Sequence, residues 1–413
     1  MKKVIWTILA ITLLVTTSSK EDETLSIMTM TTEKPEVKIY LFGSGACTID
    51  WGDGIILKAT LLPMGNAQTE IKRHVYANAS IHTITITGEN VTGISTQWNQ
   101  LTSLDVSKNP ALTHLDCMVN QLTSLDVSKN PALKELSCNG NQFTSLDMSN
   151  NLALTFLGAN QNEKLKSLDV SKNTLLKELY CGYNQLTSLD VSNNTELTHL
   201  LCPETQITCL DVSKNSMLKR LHCQTNHLII LDISKNTDLR ELNIGSNQIT
   251  SLDISKNTMM KNFNCSNNQL ISLDISNNTA LTLLGCSNNL LTSLDISNNT
   301  ALTFLGCSNN QLKSLDISKN TALTSFNCSN NLLTSLDVSN NIRLRTLDCR
   351  NNNLEADALN TLFGTQHSNK VIDSFLNKEA HKELYISENP GTESCDQSIA
   401  MNKGWNVIVT ENQ

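Results

Sequence analysis

The chain has 413 residues and a formal net charge of −8, and aromatic residues make up only 4% of it. This acidic balance argues against nucleic acid or an anionic membrane surface as the main partner. So few aromatic side chains argue against one large conventional core, and they favour stacked layers of Leu, Ile and Val.

The first nineteen residues have the pattern of a secretory signal peptide. Lys2 and Lys3 precede an apolar run over residues 4–15, and small polar residues follow. The run is too short for a permanent membrane span. We therefore expect an exported protein, secreted or held at the cell surface, without a transmembrane anchor after residues 1–19 are removed. Residues 20–35 are polar and Thr-rich, which predicts a linker.

Residues 36–93 alternate apolar and polar side chains and predict a small β-sandwich. The expected strands cover residues 37–41, 48–51 and 81–86. A turn at Trp51-Gly52-Asp53-Gly54 and the later His74-Val75-Tyr76 resemble those of polycystic-kidney-disease-like domains. Asp53 and His74 are expected to serve the structure, Asp53 by binding the backbone of its own turn and His74 by packing on Tyr76. A functional site at this pair is the alternative.

A 21-residue phrase organises residues 94–352, where a capping segment over residues 94–100 precedes twelve copies. A representative copy is Leu302-x-x-Leu305-x-Cys307-x-x-Asn310-x-Leu312-x-x-Leu315-Asp316-Ile317-x-x-Asn320. Its Asp recurs at positions 105, 126, 147, 169, 190, 211, 232, 253, 274, 295, 316 and 337. A fixed period of this length predicts a solenoid, in which each unit buries its apolar side against its neighbours.

The first half of the phrase matches the leucine-rich repeat pattern, and the second half nearly repeats the first. In this respect the chain resembles the nested 21-residue class of bacterial leucine-rich repeats known as IRREKO. The resemblance implies a mainly β repeat solenoid with a parallel sheet, and roles in adhesion or host contact. The small β-sandwich before it and an α/β cap over residues 353–413 complete the predicted fold.

Three ladders of equivalent residues run through the repeats. Asn310 and Asn320 represent two Asn ladders, whose side chains should satisfy the turning backbone and tolerate its conformation. Ten of the thirteen Cys share the position of Cys307, where Ala159 and Ile244 also occur, which predicts buried free thiols. Disulfides or a metal are the alternatives, and a bridge among Cys47, Cys209 and Cys395 stays open.

The Asp ladder is the chemical oddity of the repeat, because stacked carboxylates repel one another. We expect each Asp to accept hydrogen bonds from Ser, Thr or the backbone of its own turn. Calcium bound between the carboxylates is the alternative, although the Gly-rich nonapeptides of calcium-binding β-helices are absent from the sequence.

In the cap, residues 354–363 and 395–403 predict helices, and residues 382–386 and 405–409 predict strands. Asn389 should imitate the Asn turn of the repeat. His367, His381 and Cys395 lie outside any local catalytic motif, so we expect neither a nucleophilic site nor a cofactor, and we predict that the protein is not an enzyme.

Residues beside the Cys strand vary in repeats one to seven, whereas later copies carry mostly Ser, Asn and Gly. Alternation turns these residues outward onto a concave sheet face, where solenoids bind their partners. The predicted ligand-binding residues are His114, Glu135, Phe156, Glu178, Tyr180, Tyr183, His199, Leu201, Arg220, His222 and Glu241. Drift of older repeats would also produce this variation.

The sequence thus predicts an exported, monomeric binding protein that recognises a protein or glycan partner. A structural or calcium-dependent cell-surface component is the alternative function.

Overall fold

The protein is described here by a computed structural model that covers residues 25–66, 71–78, 80–370, 372–373, 378–379 and 381–409. The predicted signal peptide lies outside these residues. The described chain is mainly β, and within it no helix has the length and apolarity needed to cross a membrane.

The N-terminal region forms antiparallel strands. They are Ser26–Thr32 (β1), Glu36–Asp50 (β2), Ile56–Thr60 (β3), Lys72–Val75 (β4), His82–Ser95 (β5) and Ser103–Lys108 (β6). Strand β2 pairs with β3, β4 and β5, and β1 lies between β5 and β6. Met28, Ile39 and Ile86 are fully buried at the centre of this region.

Two sequence expectations for this region are corrected. The linker predicted over residues 20–35 contains β1, because its Thr-rich stretch places Met28 and Met30 on one buried face. The strands predicted at 37–41 and 48–51 are parts of one strand, β2. Gly45, at φ +83°, and a shift in the pairing with β5 let this long strand bend without ending.

Twelve short strands, one in each repeat, form the parallel sheet of the solenoid. They are His114–Asp116 (β7), Glu135–Ser137 (β8), Phe156–Gly158 (β9), Glu178–Tyr180 (β10), His199–Leu201 (β11), Arg220–His222 (β12), Glu241–Asn243 (β13), Asn262–Asn264 (β14), Leu283–Gly285 (β15), Phe304–Gly306 (β16), Ser325–Asn327 (β17) and Thr346–Asp348 (β18). Equivalent residues of successive repeats pair directly, as Leu200 does with Leu221. The predicted leucine-rich repeat solenoid with a parallel sheet is confirmed.

The repeat begins one coil earlier than its sequence pattern indicated. The last residues of β5, Gly93 to Ser95, pair in parallel with β7, so that Ile94 occupies the position of Leu115. Asn99 is buried and occupies the position of Asn120, to whose Oδ1 it donates its backbone N–H at 3.1 Å. The segment expected to cover the open end of the first repeat is therefore itself the strand and turn of a coil.

The first Asn ladder joins each coil to the one before it. Asn310 Nδ2 donates to the carbonyl oxygens of Cys307 (3.1 Å) and Cys286 (3.0 Å). Its Oδ1 accepts the backbone N–H of Leu291 at 3.0 Å. In the second ladder, Asn320 Nδ2 donates to the carbonyl oxygens of Ile296 and Asn299, both at 3.0 Å. Both ladders satisfy the turning backbone, as predicted.

The conformation of the turn differs from the prediction in one respect. The residue before the first-ladder Asn, and not the Asn itself, adopts the left-handed conformation. In uniform repeats this residue is an Asn, such as Asn309 at φ +52°. In early repeats Val119 and Thr225 occupy the same position, at φ +53° and +56°. Asn tolerates this conformation well, but β-branched residues do not.

The C-terminal region continues the solenoid and then closes it. Its elements are Ala356–Thr365 (α1), Ile372–Asp373 (β19), Lys378–Glu379 (β20), Lys382–Tyr385 (β21), Ser398–Met401 (α2) and Trp405–Ile408 (β22). Strand β21 extends the parallel sheet from β18, and β22 follows β21. Asn389 Nδ2 donates to the carbonyl oxygen of Cys349 at 3.0 Å, which confirms that it imitates the repeat turn.

Candidate binding face

Alternation within the three-residue repeat strands determines what the sheet presents outward. In β11, Leu200 is fully buried, whereas His199 and Leu201 on either side of it are partly exposed. Because the strands pair in register, the outward residues of all repeats form two rows across the sheet.

The first row contains the residue three positions before the Cys position, and the second row contains the residue one position before it. The first row runs His114, Glu135, Phe156, Glu178, His199, Arg220, Glu241, Asn262, Leu283, Phe304, Ser325 and Thr346. The second row runs Asp116, Ser137, Gly158, Tyr180, Leu201, His222, Asn243, Asn264, Gly285, Gly306, Asn327 and Asp348. Ten of the eleven predicted binding residues lie in these rows.

Tyr183 is the exception. It lies in the turn after β10, at φ +58°, and 43% of its surface is exposed. The residue therefore stands at the edge of the sheet face, in the left-handed position that precedes Asn184. Its exposure leaves it accessible to a partner, but it does not belong to either row.

A charged cluster occupies the sixth and seventh repeats. The guanidinium of Arg220 donates to both carboxylate oxygens of Glu241, at 2.6 and 3.0 Å. These hydrogen bonds lower the pKa of Glu241 and raise that of Arg220. His222 Nε2 lies 3.8 Å from the same carboxylate, and partial burial, reinforced by the charge of Arg220, lowers the pKa of His222. Glu241 is therefore neutralised within the face.

An aromatic cluster occupies the third and fourth repeats. The rings of Phe156 and Tyr180 meet edge to face, with centroids 5.3 Å apart. The hydroxyl of Tyr180 donates to Glu178 Oε2 at 2.5 Å. Burial, followed by this hydrogen bond, raises the pKa of Tyr180 to about 12. The cluster thus offers aromatic surface beside a carboxylate.

Depressions lie between the outward side chains of the sheet face. One of about 400 Å³ lies where the N-terminal strands meet the first repeats, between Tyr40, Phe42, His114 and Phe156. Another, of about 600 Å³, lies over later repeats and is lined by the residues His222, Glu241, Leu242, Asn243, Asn262, Phe263, Asn264, Ser266, Leu283, Gly285, Ser287, Phe304 and Gly306. Sequence reasoning placed the binding surface on the early repeats alone.

The later repeats are therefore less uniformly polar than the sequence suggested. Leu283 and Phe304 are 41% and 39% exposed on adjacent strands, and Gly285 and Gly306 beside them add no side chain. The two apolar residues are visible in the sequence of the first row, but the many Ser and Asn residues around them obscured the pattern. These two residues add exposed apolar surface to the later repeats, outside the eleven predicted binding residues.

The Asp ladder lies outside the sheet face. Asp253, Asp274 and Asp295 each use Oδ1 to accept the backbone N–H of the Ser two residues on, at 2.8 to 2.9 Å. The other nine members make the same bond. The predicted hydrogen bonding within each turn is confirmed. Among the described residues, no group of three or more His, Cys, Asp or Glu could hold a metal ion.

All thirteen Cys lie within the described residues, and each is a free thiol. The ten ladder thiols are fully buried, and burial raises the pKa of Cys307 and its counterparts. Cys209 is exposed, Cys47 is buried, and Cys395 is partly buried. The predicted ladder of buried free thiols is confirmed.

The remaining candidate residues serve local structure. Asp53 Oδ1 accepts the backbone N–H of Ile55 at 3.1 Å, and Oδ2 lies 2.7 Å from His74 Nε2. The His74 ring stacks on Trp51 and meets Tyr76 edge-on, as expected for a structural role. In the cap, His367 Nε2 lies 2.8 Å from the carbonyl oxygen of Leu344.

Comparisons with known proteins agree with this architecture. The model of the LVIVD repeat matches residues 265–288. No curated protein sequence matches the chain. Among solved structures, a functional domain of InlJ from Listeria monocytogenes, which includes a cysteine ladder, is similar at 34% identity with a TM-score of 0.65. The match covers 72% of this chain and 64% of that domain, so this chain spans less than two thirds of the InlJ domain.

Two further structures share the fold at lower identity. The leucine-rich repeat protein LIC12759 of Leptospira interrogans is 21% identical with a TM-score of 0.65, over 76% of this chain and 83% of that one. An internalin, InlF of Listeria monocytogenes, is 22% identical with a TM-score of 0.58, over 78% and 87% of the two chains. This chain is therefore a leucine-rich repeat solenoid that is similar in structure to bacterial leucine-rich repeat proteins.

Proposed function

We propose that the protein is an exported binding protein that recognises a protein or glycan partner through the sheet face of its early repeats. Its role would be adhesion or another interaction at the surface of a cell or host. The aromatic and charged side chains of the two rows are the residue types that dominate binding surfaces. We infer no catalytic role.

The observation that carries this proposal is the left-handed turn beside the sheet face. Uniform repeats place Asn there, as at Asn288 and Asn309, whereas early repeats keep Val119, Glu204 and Thr225 at the same positive φ. A β-branched residue in this conformation costs about 1 to 2 kcal/mol. Costly backbone positions persist mainly where function retains them. This favours a selected surface over neutral drift in the early repeats.

The N-terminal strands extend the proposed surface. Tyr40, Phe42 and Met64 line the same depression as His114 and Phe156. A partner seated on the early repeats would therefore also touch β2 and the segment after β3. The alternative function, a calcium-dependent structural component, lacks a comparable observation, because every ladder Asp is already bonded to the Ser of its own turn.

The test is a binding screen of the exported chain against extracellular-matrix proteins, mucins and glycan arrays. The early-face variant changes six residues to the Ser, Asn or Gly of later repeats: Phe156, Tyr180, Tyr183, His199, Arg220 and His222. The matched control variant changes Leu283 and Phe304 to Ser on the same sheet.

We expect a hit that the early-face variant loses at unchanged melting temperature, while the control variant retains it. A hit that survives the early-face changes would place the binding site elsewhere and attribute the sequence variation to drift. A hit lost only in the control variant would move the site to the depression over the later repeats.

A further inference from the structure

The first row has a symmetric order around Phe156. This residue pairs in register with Glu135 on one side and Glu178 on the other. Beyond them, His114 Nε2 lies 3.5 Å from Glu135 Oε1, and His199 Nδ1 lies 3.9 Å from Glu178 Oε1. Five consecutive strands therefore present His, Glu, Phe, Glu and His.

The ring of Phe156 remains accessible between the two carboxylates. Phe156 is only partly buried, and Gly158 beside it carries no side chain. A Cβ at Gly158 would lie 3.3 Å from the Phe156 ring, so this glycine lets the ring lie close to the strand. A depression of about 240 Å³ opens here, and it is lined by Glu135, Thr155, Phe156, Lys177 and Glu178.

Among the described residues, neither carboxylate forms an ion pair with Lys or Arg, although Lys177 lines the same depression and Arg220 interacts electrostatically with Glu178. Within this part of the chain, the ion-pair partners of Glu135 and Glu178 are histidines alone. Glu241, four strands from Phe156, shows the contrast, because Arg220 binds both of its oxygens. The face thus places two carboxylates on either side of an aromatic ring.

We propose that Glu135, Phe156, Glu178 and Tyr180 form a cation subsite for an arginine side chain of a protein partner. The two Glu strands are separated by roughly 10 Å, twice the spacing between neighbouring strands. A guanidinium stacked on Phe156 therefore lies between both carboxylates, and its five N–H donors can serve them together. Lysine binds at the same place more weakly, because its ammonium lacks the planar fork.

The subsite rests on the proposed function, since it names one feature of the partner that the early face would bind. The chain also supplies an internal control. Strand β16 repeats the sequence of β9, with Phe304 and Gly306 in the places of Phe156 and Gly158. Phe304 pairs with Leu283 and Ser325, and neither neighbour carries a charge.

The test uses the full chain and a fluorescent, amidated peptide in which arginine alternates with glycine. The matched peptide carries citrulline, which keeps the shape of arginine without its charge. Binding is measured by fluorescence anisotropy at neutral pH in about 0.15 M salt. The variants are Phe156→Ser, the double variant Glu135→Gln with Glu178→Gln, and the control Phe304→Ser.

We expect the arginine peptide to bind and the citrulline peptide to bind far more weakly. Phe156→Ser should weaken the arginine peptide about tenfold, the double Gln variant should weaken it at least as much, and Phe304→Ser should leave it unchanged. The double Gln variant preserves side-chain size, so its loss of binding cannot be attributed to repacking. Unchanged melting temperatures confirm that each variant is folded.

The proposal is overturned if the arginine peptide does not bind, if citrulline binds equally well, or if Phe304→Ser weakens binding as much as Phe156→Ser. Any of these results overturns the arginine subsite alone. The proposed function stands if the six-residue variant still loses a partner found in the binding screen. If the double Gln variant also loses that partner, the partner binds through the arginine subsite.

Discussion

Leu291 donates its backbone N–H to Oδ1 of Asn310, one coil further along the chain, at 3.0 Å. The same amide group donates through Nδ2 to the carbonyl oxygens of Cys286, Cys307 and Ser308. One buried side chain thus supports the backbone of two neighbouring coils. Repeated along the ladder, this contact fastens each coil to the next.

Asn310→Ala should destabilise the solenoid by about 2 to 3 kcal/mol, because the buried N–H of Leu291 and three carbonyl groups lose their partner. Urea unfolding followed by circular dichroism measures the change. Gln311→Ala, at the exposed neighbouring position, is the control and should change the free energy of unfolding by less than about 0.5 kcal/mol. Equal effects of the two variants would contradict the proposed role of the ladder.

Val119→Asn should stabilise the protein by about 1 kcal/mol, because it relieves a β-branched residue at φ +53°. The reciprocal change, Asn288→Val at φ +54°, should destabilise it by a similar amount. Thermal unfolding of both variants tests the relation. If Val119→Asn lowers the melting temperature, packing of the Val side chain outweighs the backbone strain.

Native protein should react quickly with a thiol reagent at one site, Cys209, because it is the only exposed Cys among the thirteen. Cys395 should follow slowly, since partial burial raises the pKa of its thiol. The ladder thiols should react only when the chain unfolds, because reaction requires an accessible thiolate. The reagent releases one coloured thiolate for each Cys that reacts, and its absorbance counts the reactive sites. Cys209→Ser should abolish the fast phase.

Acid should destabilise the protein as the pH falls below about 4. Hydrogen bonds from Ser255 and Ser276 hold the pKa of Asp253 and Asp274 below the usual 3.8. A carboxyl whose folded-state pKa is lowered stabilises the fold fully above its unfolded value and loses this contribution as it is protonated. Changing both Asp residues to Asn should lower the stability near neutral pH and flatten the acid limb of the stability curve, because the contribution that acid removes is then absent at every pH.

The same bonds predict that calcium and chelators leave the melting temperature unchanged, since each ladder Asp already has a donor. An increase of several degrees on adding calcium would support the alternative, calcium-dependent function.

His222→Asn should reduce the loss of stability as the pH falls from neutral through 6.5. Burial, followed by the charge of Arg220, holds the pKa of His222 below its usual 6.5. The folded state therefore binds fewer protons than the unfolded state, so stability falls as the pH drops below 6.5. The neighbouring Glu241 does not confuse the result, because its lowered pKa places its titration below 4.5. An identical pH dependence in both proteins would contradict this account.

The sequence by itself determined the solenoid, its period and the inward direction of Leu305, Cys307 and their counterparts. These features repeat in every coil, so local pattern alone reveals them. Strand alternation also predicted the two outward rows of the sheet, so ten of the eleven candidate residues lie where they were expected. The sequence also predicted that Asn389 continues the ladder into the cap.

Only the tertiary structure decided which residues become neighbours across coils and at the ends. Residues 26–32 resemble a polar linker in sequence because their pairing partners, in β5 and β6, are fifty or more positions away. The order of Glu135, Phe156 and Glu178 acquires meaning only when register brings the three strands side by side. Contacts between distant segments depend on packing and register, which no local window of the sequence contains.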